Sequence, residues 1–300
     1  MGDAAGGAET IDEGWLRAHP LPVHGEGTNK NSRGHVVAIG GSRSVPGGLL
    51  LTGEAALRAG AGKVQLATVE SCAIALGLAF PEAGILALGE GGDGEIDAAR
   101  IAPLTAGLER CDSVVIGPAM TSAKRAGTLL DALFGELLDR QPMLLDAVAL
   151  HALGAREKAL HSYGGPLVMT PNPDELASIL DCDDARVSAQ PAECAREAAQ
   201  RLRAVTVCKG GETFIAAPDG PLLHYPGGGV GLATGGSGDV LAGIIAALMA
   251  RGAEPLHAAA WGVWLHGEAG RALARSQGPI GLLARELPAM VPELMQRAAG

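Results

Sequence analysis

Residues 227 to 250 read GGGVGLATGGSGDVLAGIIAALMA, a glycine-dense loop that passes at Gly238 into an unbroken apolar run. Asp239 stands at the seam. There a carboxylate is expected to cap the free backbone N–H groups of a starting helix. The same N–H groups, with the positive end of the helix dipole, make a site for an anion. Gly235, Gly236 and Gly238 let backbone approach a phosphate closely, because they carry no Cβ and tolerate unusual φ. From Val240 to Ala250 no side chain is polar, so the helix is expected to be buried on every side. Its small residues Ala242, Gly243, Ala246 and Ala247 would let it lie close to a sheet. An ordinary capped core helix has the same appearance, so the stretch alone leaves function open.

Two common nucleotide signatures are missing. Gly60-Ala61-Gly62-Lys63 continues with Val64 rather than Ser or Thr, and no Gly-x-Gly-x-x-Gly follows a strand with an acidic residue after it. Outward from the central loop, the order of elements favours an α/β fold. Gly34–Gly41, Val64–Thr68, Ile85–Leu88, Ser113–Ile116, Met143–Leu145, Leu167–Met169 and Ala204–Cys208 read as short buried strands. Helical stretches near 48–59, 72–79, 122–139 and 191–202 lie between them. Thr213–Ala216 and Leu222–Tyr225, joined through Pro218-Asp219-Gly220, predict a β-hairpin. Helices over 256–276 and 282–296 close the chain. Such alternation predicts a mostly parallel sheet covered on both faces, with ligands beyond the carboxyl ends of its strands. Gly40-Gly41, Gly117-Pro118, Asp146, Thr170-Pro171 and Lys209-Gly210 all fall at those ends. Asp146 could line the resulting crevice or cap the turn that follows it.

Composition narrows the partners. A chain of 300 residues with 47% hydrophobic residues can bury a substantial core. The net charge of −10 argues against a nucleic-acid or anionic-membrane surface. Five cysteines without Cys-x-x-Cys spacing predict neither disulfide nor metal roles. The first residues lack an apolar signal core, and no apolar run approaches the ~20 residues of a membrane helix, so a cytoplasmic protein is expected. Residues up to Ala8 are expected to be disordered, and residues 1–28 to form a segment apart from a single catalytic domain over 29–300.

The ordered motifs carry a resemblance. Lys209-Gly210-Gly211-Glu212-Thr213 and then Ala233-Thr234-Gly235-Gly236-Ser237-Gly238-Asp239 look like the ribokinase-like superfamily. Gly34-His35, Pro46-Gly47, Ala59 to Gly62, Met169 to Pro173 and Gly262 to Gly267 resemble, more closely, the ADP-dependent NAD(P)H-hydrate dehydratases. The resemblance runs from about Asn29 to the C-terminus. It implies a three-layer α/β/α sandwich that restores NADH or NADPH from the 6-hydroxylated, hydrated cofactor. It further implies nucleotide contacts from Lys209, Gly210, Gly211, Glu212, Thr213, Gly236, Ser237 and Gly238, with Asp239 as the catalytic base. Substrate contacts would come from Gly48, Ala119, Asn172 and Asp239. Three of these depart from the family's usual residues, which are Ala at 48, Gly at 119 and His at 172. ADP or ATP is the expected co-substrate, with Mg²⁺ accompanying it and no protein ligand for the metal assigned. A homo-oligomer, possible as a tetramer, is implied by resemblance only. The alternative is an ATP-dependent kinase of the same superfamily acting on a sugar or a hydroxymethylpyrimidine, since the same loop and carboxylate would serve.

Overall fold

The structure, a computed structural model, describes residues 7–25, 27–136 and 140–300. Ten strands form one sheet: β1 (Glu9–Thr10), β2 (His35–Ile39), β3 (Lys63–Val69), β4 (Gly84–Leu88), β5 (Ser113–Ile116), β6 (Met143–Leu145), β7 (Leu167–Met169), β8 (Val205–Cys208), β9 (Thr213–Ala216) and β10 (Leu222–Tyr225). Their spatial order is β1-β10-β9-β8-β7-β6-β5-β2-β3-β4. Only β9 runs antiparallel to its neighbours among the described strands, so the expectation of a mostly parallel sheet with one hairpin holds.

Strand alternation builds two cores. Val36 and Ala38 of β2 face one side with Val64 and Leu66 of β3, while Val37 and Ile39 face the other with Ala67 and Val69. The first core receives the helices Ser237–Ala250, Pro255–Gln277 and Leu287–Ala299; the second receives Ala123–Glu136, Pro173–Leu180 and Pro191–Leu202. This is the three-layer sandwich that the sequence predicts. From Val240 to Ala250 every residue is buried, as its composition required. The helix lies against Gly48–Arg58 so closely that Gly243 abuts the Thr52 carbonyl, and Ser113 of β5 donates to the Ala246 carbonyl at 2.8 Å.

The N-terminal segment adds to this body. Glu9–Thr10 extends the sheet in parallel with β10, and Glu13–Ala18 packs on the C-terminal helix. Asp12 caps that short helix through the Trp15 N–H, 2.8 Å away. Of the expected disorder up to Ala8, residues 1–6 lie outside the described residues while Gly7 and Ala8 are described, and the expected helix end at Asp139 falls on 137–139, also outside them. Trp261 is buried in the first core, and its Nε1 donates to the His19 carbonyl at 2.8 Å.

Topology fixes where a ligand can enter. The chain leaves β2 toward β3 on one side, whereas it leaves β5 toward β6 on the other, although β2 and β5 are neighbours. Their outgoing loops therefore part, which opens a crevice at a topological switch point. The Gly41 N–H donates to the Pro118 carbonyl across it at 2.9 Å.

Candidate active site

The central helix begins at Ser237, three residues earlier than its apolar run suggests. Its N-cap is Gly236, held at φ +86°, and no side chain caps it. The expectation that Asp239 caps the helix is thus corrected. Asp239 sits in the first turn, and its carboxylate has no hydrogen-bond partner among the described residues. The reason is positional: a capping oxygen must precede the N–H groups it serves, and Asp239 lies inside the turn that contains them. The Ser237 N–H turns back to the Thr234 carbonyl at 3.2 Å, whereas those of Gly238 and Asp239 have no partner among the described residues and stay open to an anion beside the unbonded carboxylate.

Two groups of residues meet at this helix start. Gly236 faces Leu51 of the helix Gly48–Arg58, and a Cβ there would lie 3.9 Å from Asp239 Oδ2. Gly238 faces the opposite way, with its Cβ position 3.4 Å from Lys209 Nζ and 3.7 Å from Asp146 Oδ2. Lys209 Nζ donates to Asp146 Oδ1 at 2.9 Å and lies 4.0 Å from Glu175 Oε2. Asp146, only 1% exposed, also accepts from Thr170 Oγ1 at 2.7 Å. Its side chain makes no capping bond to the following turn, and it does not line the cavity either: it is buried behind the wall as the partner of Lys209 and Thr170.

Burial, reinforced by the Asp146 carboxylate, pushes Asp239 up to about 7 against the opposing pull of Lys209. Burial works against the charge of Lys209 as well. There the two carboxylates Asp146 and Glu175 outweigh it, so the ammonium is held above its ordinary value. Glu175 itself is raised by burial.

A cavity of about 920 Å³ opens on the Lys209 side. Lys209, Gly210, Gly211, Thr213, Ser237, Gly238 and Asn172 all line it, so seven predicted site residues converge on one space. Glu212, Gly236 and Asp239 are not among its lining residues: Glu212 is exposed and lies 3.2 Å from His224 Nε2, Gly236 backs onto Leu51 and Ala284, and the Asp239 carboxylate lies on the Gly236 side. Asn172 caps the helix Pro173–Leu180, accepting from the Glu175 N–H at 2.8 Å while its own N–H donates to Glu175 Oε2 at 2.8 Å. That leaves the Asn172 side-chain NH₂ as its free donor.

Sequence reasoning missed Tyr225 and Arg271, which close the far wall. Arg271 lies over the Tyr225 ring, 5.6 Å from its centroid, and its Nε donates to the Gly227 carbonyl at 3.0 Å. Both sit in segments whose pattern reads as ordinary strand and helix. His266 bonds Ser237 Oγ through Nε2 at 2.9 Å. Burial drives it down to about 4, which keeps the ring neutral and fixes the Ser237 hydroxyl at the cavity edge.

Gly48 and Ala119 lie at the switch-point crevice rather than in this cavity, and their two departures from the family pattern prove to be linked. Ala119 occupies the left-handed region at φ +58°, where glycine is favoured. A Cβ added at Gly48 would stand 2.5 Å from the Ala119 Cβ. One methyl group thus fills a space with room for one, supplied here from position 119 instead of 48. Gly48→Ala alone should destabilise the protein by about 1–3 kcal/mol through overpacking. Adding Ala119→Gly should recover most of that loss in urea titrations. Additive effects of the two substitutions would show that the methyl groups do not compete.

Among the described residues no group of three or more His, Cys, Asp or Glu side chains is placed to hold a metal ion. The five cysteines are unpaired in the structure. No described helix is long and apolar enough to cross a membrane.

Comparison with known proteins aligns with this geometry. The family model for NAD(P)H-hydrate dehydratase matches residues 36–293. An ADP-dependent (S)-NAD(P)H-hydrate dehydratase from Xanthomonas campestris is 46% identical over 288 residues, covering 96% of each chain. A bifunctional NAD(P)H-hydrate repair enzyme from Moorella thermoacetica is 37% identical across 94% of this chain, which spans 53% of that longer protein. Among solved structures, an ADP/ATP-dependent NAD(P)H-hydrate dehydratase from Bacillus subtilis, crystallised with ATP and Mg²⁺, superposes with a TM-score of 0.83. It is 28% identical, covering 98% of this chain and all of that one.

Proposed function

Because the chain belongs to the NAD(P)H-hydrate dehydratase family, we propose that its crevice dehydrates (S)-NAD(P)H-hydrate at the expense of ADP, releasing AMP and phosphate. The observation that carries the mechanism is the unbonded Asp239 carboxylate, raised to about 7, beside the uncapped start of a buried helix. Hydroxide is a poor leaving group; phosphate is a far better one. Asp239 removes the proton from the 6-hydroxyl as its oxygen attacks the terminal phosphorus of ADP, and the bond to the remaining AMP breaks. The N–H groups of Gly236 and Gly238 and the Lys209 ammonium hold the developing charge in place. The ring nitrogen's lone pair then expels phosphate from C6, and loss of a C5 proton restores the dihydronicotinamide. Mg²⁺ on the nucleotide phosphates would neutralise part of their charge. ATP fits the same scheme, with ADP as product.

Lys209, Gly210, Gly211, Thr213, Ser237 and Gly238 bind the nucleotide in this reading, with Glu212 and Gly236 supporting the loop. Gly48, Ala119 and Asn172 shape the substrate side, where Asn172 offers a donor and no titrating group. The test is to give the purified protein hydrated NADH with ADP and Mg²⁺ and to follow reduced-nicotinamide absorbance together with released phosphate. Both should rise in equal amounts. A stable phosphorylated product without phosphate release would mark a small-molecule kinase instead, and no turnover with either nucleotide would overturn the reading.

A further inference from the structure

The sheet has a second opening at its other end. Where β2, β3 and β4 begin and the chain enters β5, a groove of about 630 Å³ is lined by Lys30, Lys63, Arg110, His35, Gln65 and Asp112. With β2 only five residues long, the groove and the catalytic crevice are separated by roughly 17 Å of strand. Lys30, Lys63 and Arg110 make no ion pair among the described residues. In a chain of net charge −10, three unpaired cations meeting in one concavity stand out. Two carboxylates share the lining: Asp112, whose Oδ2 already accepts the His35 N–H at 2.9 Å, and the exposed Glu82.

The wall carries a second feature. His35 is 9% exposed, and its Nδ1 lies 3.1 Å from the Arg110 carbonyl oxygen. A carbonyl only accepts, so Nδ1 bears the hydrogen and Nε2 of the neutral ring is left as an acceptor. Nε2 is buried and has no partner. A buried polar atom without a partner calls for one.

We propose that this groove binds a small phosphorylated metabolite bearing hydroxyl groups, of the sugar-phosphate class. The phosphate is held by Lys30, Lys63 and Arg110, the last suited to bidentate contact with phosphate oxygens. Hydroxyls face Gln65 and the His35 ring, where a small inward shift lets one donate to Nε2. No Phe, Tyr or Trp is among the groove's lining residues, whereas Tyr225 lines the nucleotide cavity. The assignment does not depend on the reaction proposed for the catalytic crevice.

Titration calorimetry with ribose 5-phosphate tests it, using the full-length protein saturated with ADP so that the catalytic cavity is filled. Saturable binding is expected, weaker for ribose or inorganic phosphate alone. The dissociation constant should rise at least tenfold in Lys63→Gln/Arg110→Gln, less in Lys30→Gln, and not at all in Asp239→Asn. Absence of saturable binding, binding that the groove variants leave intact, or phosphate binding as tightly as the sugar phosphate would each overturn the proposal. So would sedimentation showing that the groove variants split an assembly, since a second copy of the chain would then cover the groove.

Discussion

Replacing Asp239 by Asn is expected to lower turnover by about 10²–10⁴ while nucleotide binding persists, because the substitution keeps the shape and removes the base. The carboxylate must be ionised to accept a proton. Since burial and Asp146 raise it to about 7, wild-type kcat/KM should fall roughly tenfold per pH unit below that value. The variant's residual rate should lack that acidic limb. The same group carries a stability signature of opposite sign. Its pKa lies near 3.8 when unfolded and about 7 when folded, so its favourable contribution is complete below the first value and lost as pH rises through the second. At pH 8 the Asn variant should therefore be more stable than the wild type, by up to about 4 kcal/mol, with the difference vanishing below pH ~4. Urea titrations at the two pH values check this. A variant that is both active and no more stable would remove Asp239 from the mechanism.

The second large effect is expected from Lys209. Asp146 is nearly inaccessible and has two partners, Thr170 and Lys209, only one of them charged. Lys209→Met would leave that carboxylate buried without a cation, so it must stay ionised unaided or take up a proton. Breaking one side of a buried pair costs about 3–5 kcal/mol. The half-saturating nucleotide concentration should also rise, since the ammonium lies beside Gly238 at the cavity wall. Lys209 pulls Asp239 downward, so its loss should also move the acidic limb of the rate profile to higher pH. Adding Asp146→Asn removes the stranded charge and should recover at least half of the lost stability without restoring nucleotide affinity. Loss of stability by less than about 1 kcal/mol in the single variant would show that the pair is solvated after all.

Much of this was legible in the chain because it is local. Ser113–Ile116, Met143–Leu145, Leu167–Met169 and the hairpin strands were bounded correctly, since short apolar runs between turn residues leave the backbone few alternatives. The helix Pro191–Leu202 was likewise marked by the proline at its start. The strand Glu9–Thr10 was not legible: two polar residues have no periodicity, and their order comes from the β10 edge they meet. Seven cavity residues were found because glycine loops and strand ends have a recognisable composition. Tyr225 and Arg271 were not, because their sequence neighbourhoods are those of any strand or amphipathic helix.

The sequence by itself determined the layers of the sandwich and the glycine-dense loop that leads into a central helix buried on every side. Tertiary structure decided the rest. It set Asp146 against Lys209 across 63 positions of chain, raised Asp239 by enclosing it, and let one methyl group at Ala119 serve for the one absent at Gly48. The physical reason is range. Hydrogen-bonded elements and their caps are fixed by neighbours a few residues away, whereas desolvation, charge pairing and the sharing of a cavity depend on which distant residues the sheet order brings together.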